Sequence, residues 1–556
     1  MLSSFGKIYK ILIAEKKLFF LIYLISILIL GLVEILGISS LSILITNVLN
    51  KEIFSNFSGV FFFEYFINLE TNILIVSIML IYIIKIFIVV FINYKLHQFN
   101  NNLLIDLKNN IFKYYINLNY LDFNNISLAE KTRDIHNLTT QFISSFNIAI
   151  KTFNELILVF IITAFLLIYT NPYLIIALLV LALIVITYLY FVRNILINIG
   201  KNINSVRKNL YQILIEAMEG FIDIKVFDLV KTFEKTFNIL NKKLANQQIK
   251  FGLINLLPRN LLELTVIALV IVVVYMFSNL NQEMHIFYIS LFASAGIKLI
   301  PSLNIIMNSS INIFNQKDTI DRLFNIFSKH KNFSLKSYKY KKININTFSV
   351  ENISFTYEKK LRTNIIQNIS FNLKKGDILG IKGRSGLGKT TLLNIITGLI
   401  KPDSGDIYYN SKHKINFNEE WIHNIAYIPQ KPFILEGRAE DNISVGKKIT
   451  KKELNFILSR FKLKKELGDK IISFNGNNIS NGQKQRLIIA RSYFLDRDII
   501  IFDESTNSLD DENKNIILKL IQNLKNKIII CVSHDKDVLK ICNLILDLKK
   551  KKIEKN

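Results

Sequence analysis

The sequence predicts a membrane protein of two parts: six bilayer-spanning helices, then an α/β domain on one side of the membrane. Three observations carry this. The chain of 556 residues is 51% hydrophobic with a mean hydropathy of +0.32, yet 20% of it is charged, so apolar and charged residues must be segregated along it. Of the net charge of +26, residues 1–330 hold +8 and residues 331–556 hold +18. In the first part basic residues crowd alternate loops, and in the second short apolar runs alternate with helical stretches. This pattern excludes a disordered chain, a disulfide scaffold and a one-core soluble enzyme. Cys531 and Cys542 both fall in the charged part, which points to a reducing compartment there.

A bilayer core needs about 20 apolar residues in a helix. Six stretches qualify, at roughly 18–46, 72–93, 142–169, 172–192, 256–278 and 286–310. The first has no small-residue cleavage site before Glu34 and reads as a retained span rather than a signal peptide. Lys7, Lys10, Lys16 and Lys17 precede it. Lys95, Lys108, Lys113, Lys131 and Arg133 lie between spans 2 and 3, and a further ten basic residues lie between spans 4 and 5. The alternate loops hold Lys51 alone, so both termini and everything after residue 310 are expected in the cytoplasm. The basic loops are long and helix-forming, which predicts helical stalks projecting beyond the membrane. Residues 1–16 read as an amphipathic arm on the inner surface. The expected divisions are this arm, a six-span domain at 17–325, a Lys- and Ser-rich linker at 326–344, and a final α/β domain at 345–556.

In that last part Phe348–Phe355 and Ile378–Lys382 read as strands and Thr391–Gly398 as the start of a helix. Ile499–Phe502 and Ile528–Val532 are apolar runs of the buried parallel-strand kind. Between a strand and a helix lies Gly383-Arg384-Ser385-Gly386-Leu387-Gly388-Lys389-Thr390-Thr391, which fits the P-loop pattern G-x-x-x-x-G-K-[ST]. Glycines let backbone N–H groups converge on phosphate oxygens, the helix N-terminus adds positive potential, and Lys389 reaches the β- and γ-phosphates. Thr390 is placed to hold Mg²⁺. The strand Ile499–Phe502 ends in Asp503, suited to the Mg²⁺ shell, and Glu504, suited to polarise an attacking water. A helix cap or a solvated strand end is the alternative for that carboxylate pair, and the P-loop ahead of it disfavours both.

Ile479-Ser480-Asn481-Gly482-Gln483-Lys484-Gln485-Arg486 resembles the signature of ATP-binding cassette proteins, usually Leu-Ser-Gly-Gly-Gln. Other marks of that family fall in order around it. Tyr357 matches the aromatic that stacks on adenine and Gln430 the Q-loop glutamine, which also serves the metal. Ser508-Leu509-Asp510 matches the D-loop and His534 the switch histidine. The resemblance covers essentially the whole chain and implies a type IV exporter fold, with ATP and Mg²⁺ as cofactors and Glu504, His534 and Gln430 as catalytic residues. Ser480, Gly482, Gln483 and Asp510 would then contact nucleotide bound to a partner domain. The implied protein is a half-transporter in a bacterial-type cytoplasmic membrane, pairing with a second copy, or alternatively with a different chain. Asn481 stands where the family has glycine; asparagine tolerates left-handed backbone, so the loop is expected to survive.

The resemblance further implies coupling helices at about 118–128 and 217–227, with a plain hairpin turn as the other reading. Ionisable residues at membrane depth are functional candidates: Glu34, Lys85, Glu155, Arg259, Glu263 and Lys298. Short patterns around Glu34, Arg259–Glu263 and Lys298 look like flippases of lipid-linked oligosaccharides, where Arg259 and Lys298 would suit a pyrophosphate headgroup. Ion pairing between spans is the other reading of these residues. Multidrug, lipid and peptide exporters of the same architecture remain alternatives for the cargo. A peptide exporter with an added N-terminal protease domain is not expected, since the first span begins at about residue 18. A nucleic-acid-binding ATPase is disfavoured by the spans and by the scatter of the lysines.

Overall fold

The computed structural model describes residues 6, 17–49, 70–169, 173–277, 282–329, 343–357, 365–384, 386–411, 413–417, 419–506 and 509–555. The expected arm at 1–16, apart from residue 6, and most of the linker therefore lie outside the described residues. Two compact units divide the chain: Met1–Leu118 with Asn125–Leu335, and Asn119–Asn124 with Lys336–Asn556.

The first unit is a bundle of long helices: α1 (Lys17–Leu49), α2 (Thr71–Ile116), α5 (Thr139–Tyr169), α6 (Tyr173–Glu219), α8 (Val230–Phe277) and α9 (Gln282–Asn315). Short helices α3 (Tyr120–Asn124) and α4 (Leu128–Arg133) follow α2, α7 (Phe221–Val226) follows α6, and α10 (Lys317–Lys329) follows α9. Helix α3 belongs to the second unit. Four described stretches are long and apolar enough to cross a membrane: Phe19–Ile45, Thr71–Ile116, Leu128–Leu166 and Leu183–Glu219. The spans expected at 256–278 and 286–310 fall on α8 and α9, many of whose side chains there lie outside the described residues. The short helices α3 and α7 occupy the two segments expected to couple.

Helices α2, α6 and α8 run 46, 47 and 48 residues. At 1.5 Å per residue each is about 70 Å long, twice what a bilayer core of about 30 Å requires. Across the long helices of the bundle the apolar side chains divide by face. Ile38, Leu74, Ile78, Ile162 and Leu299 pack inward. Leu32, Met79, Phe87, Tyr190 and Phe191 stay 60–75% exposed, as lipid-facing positions do. Helices α6 and α9 approach closely at Gly200, where a Cβ would lie 1.8 Å from the backbone oxygen of Asn315. Gly200→Ala must push the two helices apart. The expected cost is about 1–3 kcal/mol of overpacking, read as a lower unfolding midpoint in detergent; an unchanged midpoint would contradict the close approach.

Away from its most apolar segments the bundle is tied by charge. A single π-helical turn, Asp134–Leu138, follows α4 and buries the Asp134 side chain completely. Tyr115 Oη donates to Asp134 Oδ2 at 2.6 Å, Arg133 Nε and Nη2 donate to Oδ1 at 3.1 and 2.8 Å, and Arg322 Nε and Nη2 donate to Oδ2 at 2.9 and 2.7 Å. Arg322 also binds Glu130, which lies 3.1 Å from Lys208 Nζ. One carboxylate thus joins α2, α4 and α10, and through Glu130 reaches α6.

The second unit holds two sheets. One is antiparallel, in the order β2 (Ile366–Lys374), β1 (Thr347–Phe355), β4 (Ser404–Tyr409) and β5 (His413–Lys414). The other has the order β10 (Lys552–Lys555), β9 (Leu544–Asp547), β3 (Ile378–Lys382), β8 (Ile528–Val532), β7 (Ile499–Asp503) and β6 (Ile425–Ile428). Its strands from β9 to β6 are parallel, and β10 joins β9 antiparallel. Period-two alternation sends each central strand into two cores. Ile499, Ile501, Ile528 and Ile530 face one, and Ile500, Phe502, Ile529 and Cys531 face the other. Tyr120 of α3 packs against the first of these cores. Both cysteines are buried and unbridged.

Candidate functional site

Candidate residues cluster beyond the carboxyl ends of β3, β7 and β8, where open parallel sheets bind their ligands. From β3 the chain turns through Gly386 and Gly388, at φ +88° and +84°, into α11 (Lys389–Ile396), two residues earlier than the sequence suggests. A Cβ on Gly388 would meet Ile365 Cγ2 at 2.8 Å, whereas one on Gly386 would meet nothing within 4 Å. One glycine therefore serves packing and the other leaves an open backbone concavity at a helix N-terminus. That concavity, with a lysine amine beside it, fits a polyphosphate. Ser385 and Ser508 lie outside the described residues; Gly383, Arg384, Leu387 and Thr390 line the same turn, with Arg384, Leu387 and Thr390 exposed.

Lys389 is only 8% exposed, and its amine is held by acceptors. Nζ donates to Glu504 Oε1 at 2.9 Å and contacts His534 Nε2, which in turn lies 3.9 Å from Glu504 Oε1. Glu504 takes φ +47°, a left-handed conformation that only a few per cent of non-glycine residues adopt. Its N–H donates to Val532 O at 2.9 Å, which pins that turn. The turn sends the neighbouring carboxylates apart. Glu504 goes to Lys389, and Asp503 Oδ2 accepts from Tyr427 Oη at 2.6 Å. Burial raises the Asp503 pKa, against the lowering effects of Tyr427 and Lys389. Burial and then the bond to Asp503 push the Tyr427 phenol well up, so it remains a donor. Tyr357 stands half exposed, edge-on to Phe355, with Oη 3.3 Å from Thr391 Oγ1.

A second group gathers the signature and the D-loop residues. Ser480 caps α12 (Asn481–Phe494): its side chain accepts from Gln483 N, and Gln483 returns a bond to Ser480 N. Asn481 is the first helical residue and is not among the positive-φ positions. At a right-handed helical position a side chain is no obstacle, so the departure from glycine needs no conformational tolerance. The second glycine differs, since a Cβ on Gly482 would meet Asn513 Cγ at 2.7 Å. Asn513 Nδ2 in turn donates to Asp510 Oδ1 at 2.6 Å. Ile479, standing for the usual leucine, is buried in the second core. Gln485 Nε2 donates to the carbonyls of Pro429 and Gln430, both at 3.2 Å, and so ties α12 to the Q-loop backbone. The Gln430 side chain itself is exposed. No motif marks Tyr427, Asn513 or the role of Gln485; each acts through pairing across the fold, which spacing along the chain does not encode.

In the bundle, Glu34 is 4% exposed and clamped by two lysines, Lys85 Nζ at 2.9 Å and Lys298 Nζ at 3.0 Å. Lys85 also stands 4.8 Å from the centre of the Tyr82 ring. Arg259 and Glu263 pair with each other at 2.9 Å along α8 and are 72% and 52% exposed. The four cavity candidates therefore separate into two groups, and Lys298 is not an isolated cation. Glu155 Oε2 is buried without a hydrogen-bond partner.

Comparison with known proteins agrees with this architecture. Residues 366–507 match the family described as ABC transporter, and residues 20–294 match the ABC transporter transmembrane region. A probable ABC transporter ATP-binding/permease protein of Haemophilus influenzae is 36% identical over 37% of this chain, a stretch that makes up only 38% of that protein. An energy-coupling factor transporter ATP-binding protein of Mycoplasma mobile is 36% identical over 37% of this chain and 78% of its own length. The solved structure of a bacterial Atm1-family ABC exporter with ATP bound superposes with a TM-score of 0.78 at 16% identity, covering 94% of each chain. The fold is thus the type IV exporter fold. The chain belongs to the ABC transporter family, as a multi-pass membrane protein whose transmembrane region and ATPase domain are fused.

Proposed function

We propose that two copies of this chain form an ATP-driven exporter in the cytoplasmic membrane, carrying an amphipathic molecule with an anionic head. The observation that supports this best is the grouping of Lys389, Glu504 and His534 beside a glycine turn, in a chain fused to spans. Lys389 and the turn amides bind the phosphates, Glu504 accepts the proton of the attacking water, and His534 orients that proton path. Mg²⁺ would be held by Thr390, Asp503 and Gln430, directly or through water, and would neutralise phosphate charge. Such an ion would take phosphate oxygens and water as its remaining ligands. Ser480, Gly482, Gln483 and Asp510 form a separate group suited to close over nucleotide on a second copy. The chain's own motifs suffice for two equal sites, which favours a homodimer over a heterodimer.

The clamp of two lysines on one glutamate carries a net positive charge inside the bundle and suits a phosphate-bearing head, such as that of a polyprenyl-pyrophosphate glycan. In lipid, such glycans are expected to stimulate ATP turnover, and Lys85→Ala and Lys298→Ala are each expected to raise the half-stimulating concentration about tenfold. Stimulation unaffected by both substitutions would end the headgroup reading. Stimulation by uncharged drugs, lipids or peptides would then identify the cargo class.

A further inference from the structure

We propose that Tyr427 is a positioning residue for the metal-binding carboxylate, holding Asp503 by one oxygen so that the other faces the nucleotide phosphates. The inference rests on the ATPase reading above and goes beyond its motif residues. Strands β6 and β7 are parallel neighbours with Tyr427 opposite Ile501. Side chains alternate along a strand, so Asp503, two residues past Ile501, shares that face with Tyr427. The phenol is long enough to reach the diagonal neighbour, and its Oη lies 2.6 Å from Asp503 Oδ2. A shorter residue at position 427 could not span this diagonal, and phenylalanine would span it without a donor.

The bond has two consequences for the site. It removes the rotational freedom of a carboxylate at the end of a strand, immediately before a residue with left-handed backbone. It also places that carboxylate under control of β6, which runs through Ile428 and Pro429 into Gln430. The Pro429 and Gln430 carbonyls are themselves held by Gln485 of α12. Metal geometry, Q-loop and signature helix are thereby joined by three hydrogen bonds. Groups that orient a metal ligand from behind typically change metal affinity or activity about 10–100-fold when removed.

The test is Tyr427→Phe in the full chain in lipid, with ATP turnover titrated against Mg²⁺ at saturating ATP. The half-saturating Mg²⁺ concentration is expected to rise about tenfold, with the unfolding midpoint close to that of the parent. A turnover-free measurement repeats this as ATP-dependent Mn²⁺ binding by electron paramagnetic resonance in a Glu504→Gln background, where Tyr427→Phe should weaken binding to the same degree. An unchanged Mg²⁺ requirement and unchanged Mn²⁺ binding overturn the proposal, whether or not maximal turnover falls. Failure of the parent chain itself to hydrolyse Mg·ATP would instead overturn the ATPase reading.

Discussion

Replacing Glu504 by glutamine is expected to lower ATP turnover by about two to four orders of magnitude while ATP still binds. Glutamine keeps the shape of the side chain and an oxygen able to accept from Lys389, so the contact at 2.9 Å survives. An amide cannot take up the proton released by the attacking water, and the step that needs a base is lost. Because the left-handed turn at position 504 is fixed by its N–H bond to Val532, the substitution leaves the backbone in place. Phosphate release in lipid and equilibrium binding of labelled ATP measure the two effects separately. Turnover as fast as in the parent would remove Glu504 from the role of base.

Asp134→Ala is expected to destabilise the helical unit by about 3–5 kcal/mol, the cost of stranding buried charge after one partner is removed. Asp134 accepts from three side chains, and without it Arg133 and Arg322 are left to share Glu130, which lies 3.8 Å from Arg133 Nη2 and also pairs with Lys208. Arg322 keeps Glu130, so a mild loss would be expected if that pair dominated. Denaturant unfolding of the detergent-solubilised protein, monitored by helical signal, gives the value. Asp134→Asn, which retains an acceptor oxygen, should lose less; equal losses would assign the effect to packing rather than charge.

What the sequence disclosed and what it concealed separate by the range of the interaction. The glycine turn and the strands Ile499–Asp503 and Ile528–Val532 are written in local spacing and periodicity, and they stand within a residue or two of where those patterns place them, whereas the expected spans fall on helices that run well beyond their apolar stretches. Glu34, Lys85 and Lys298 were visible as charges in apolar stretches, but their mutual pairing joins three helices far apart in the chain. Arg259 had the same local appearance and pairs along its own helix instead. Asp134 had no local signal at all, since a carboxylate in a polar loop looks ordinary until Tyr115 and Arg322 close over it. The backbone of Asn481 is likewise decided by its neighbours, through the capping of Ser480 and Gln483, rather than by its own preference.

Helices α2, α6 and α8 have a mechanical consequence. With about 70 Å of length and about 30 Å within the bilayer core, each leaves roughly 40 Å of unbroken rod outside it. A tilt of only about 5° about the membrane end displaces the far tip by roughly 3.5 Å, comparable to the length of a hydrogen bond plus half an ångström. Motions small enough to preserve side-chain packing among the spans are therefore sufficient to make or break contacts at the distal ends. Stiffness, more than range of motion, is what such rods contribute, and a flexible insertion in any of them would absorb the displacement before it arrived.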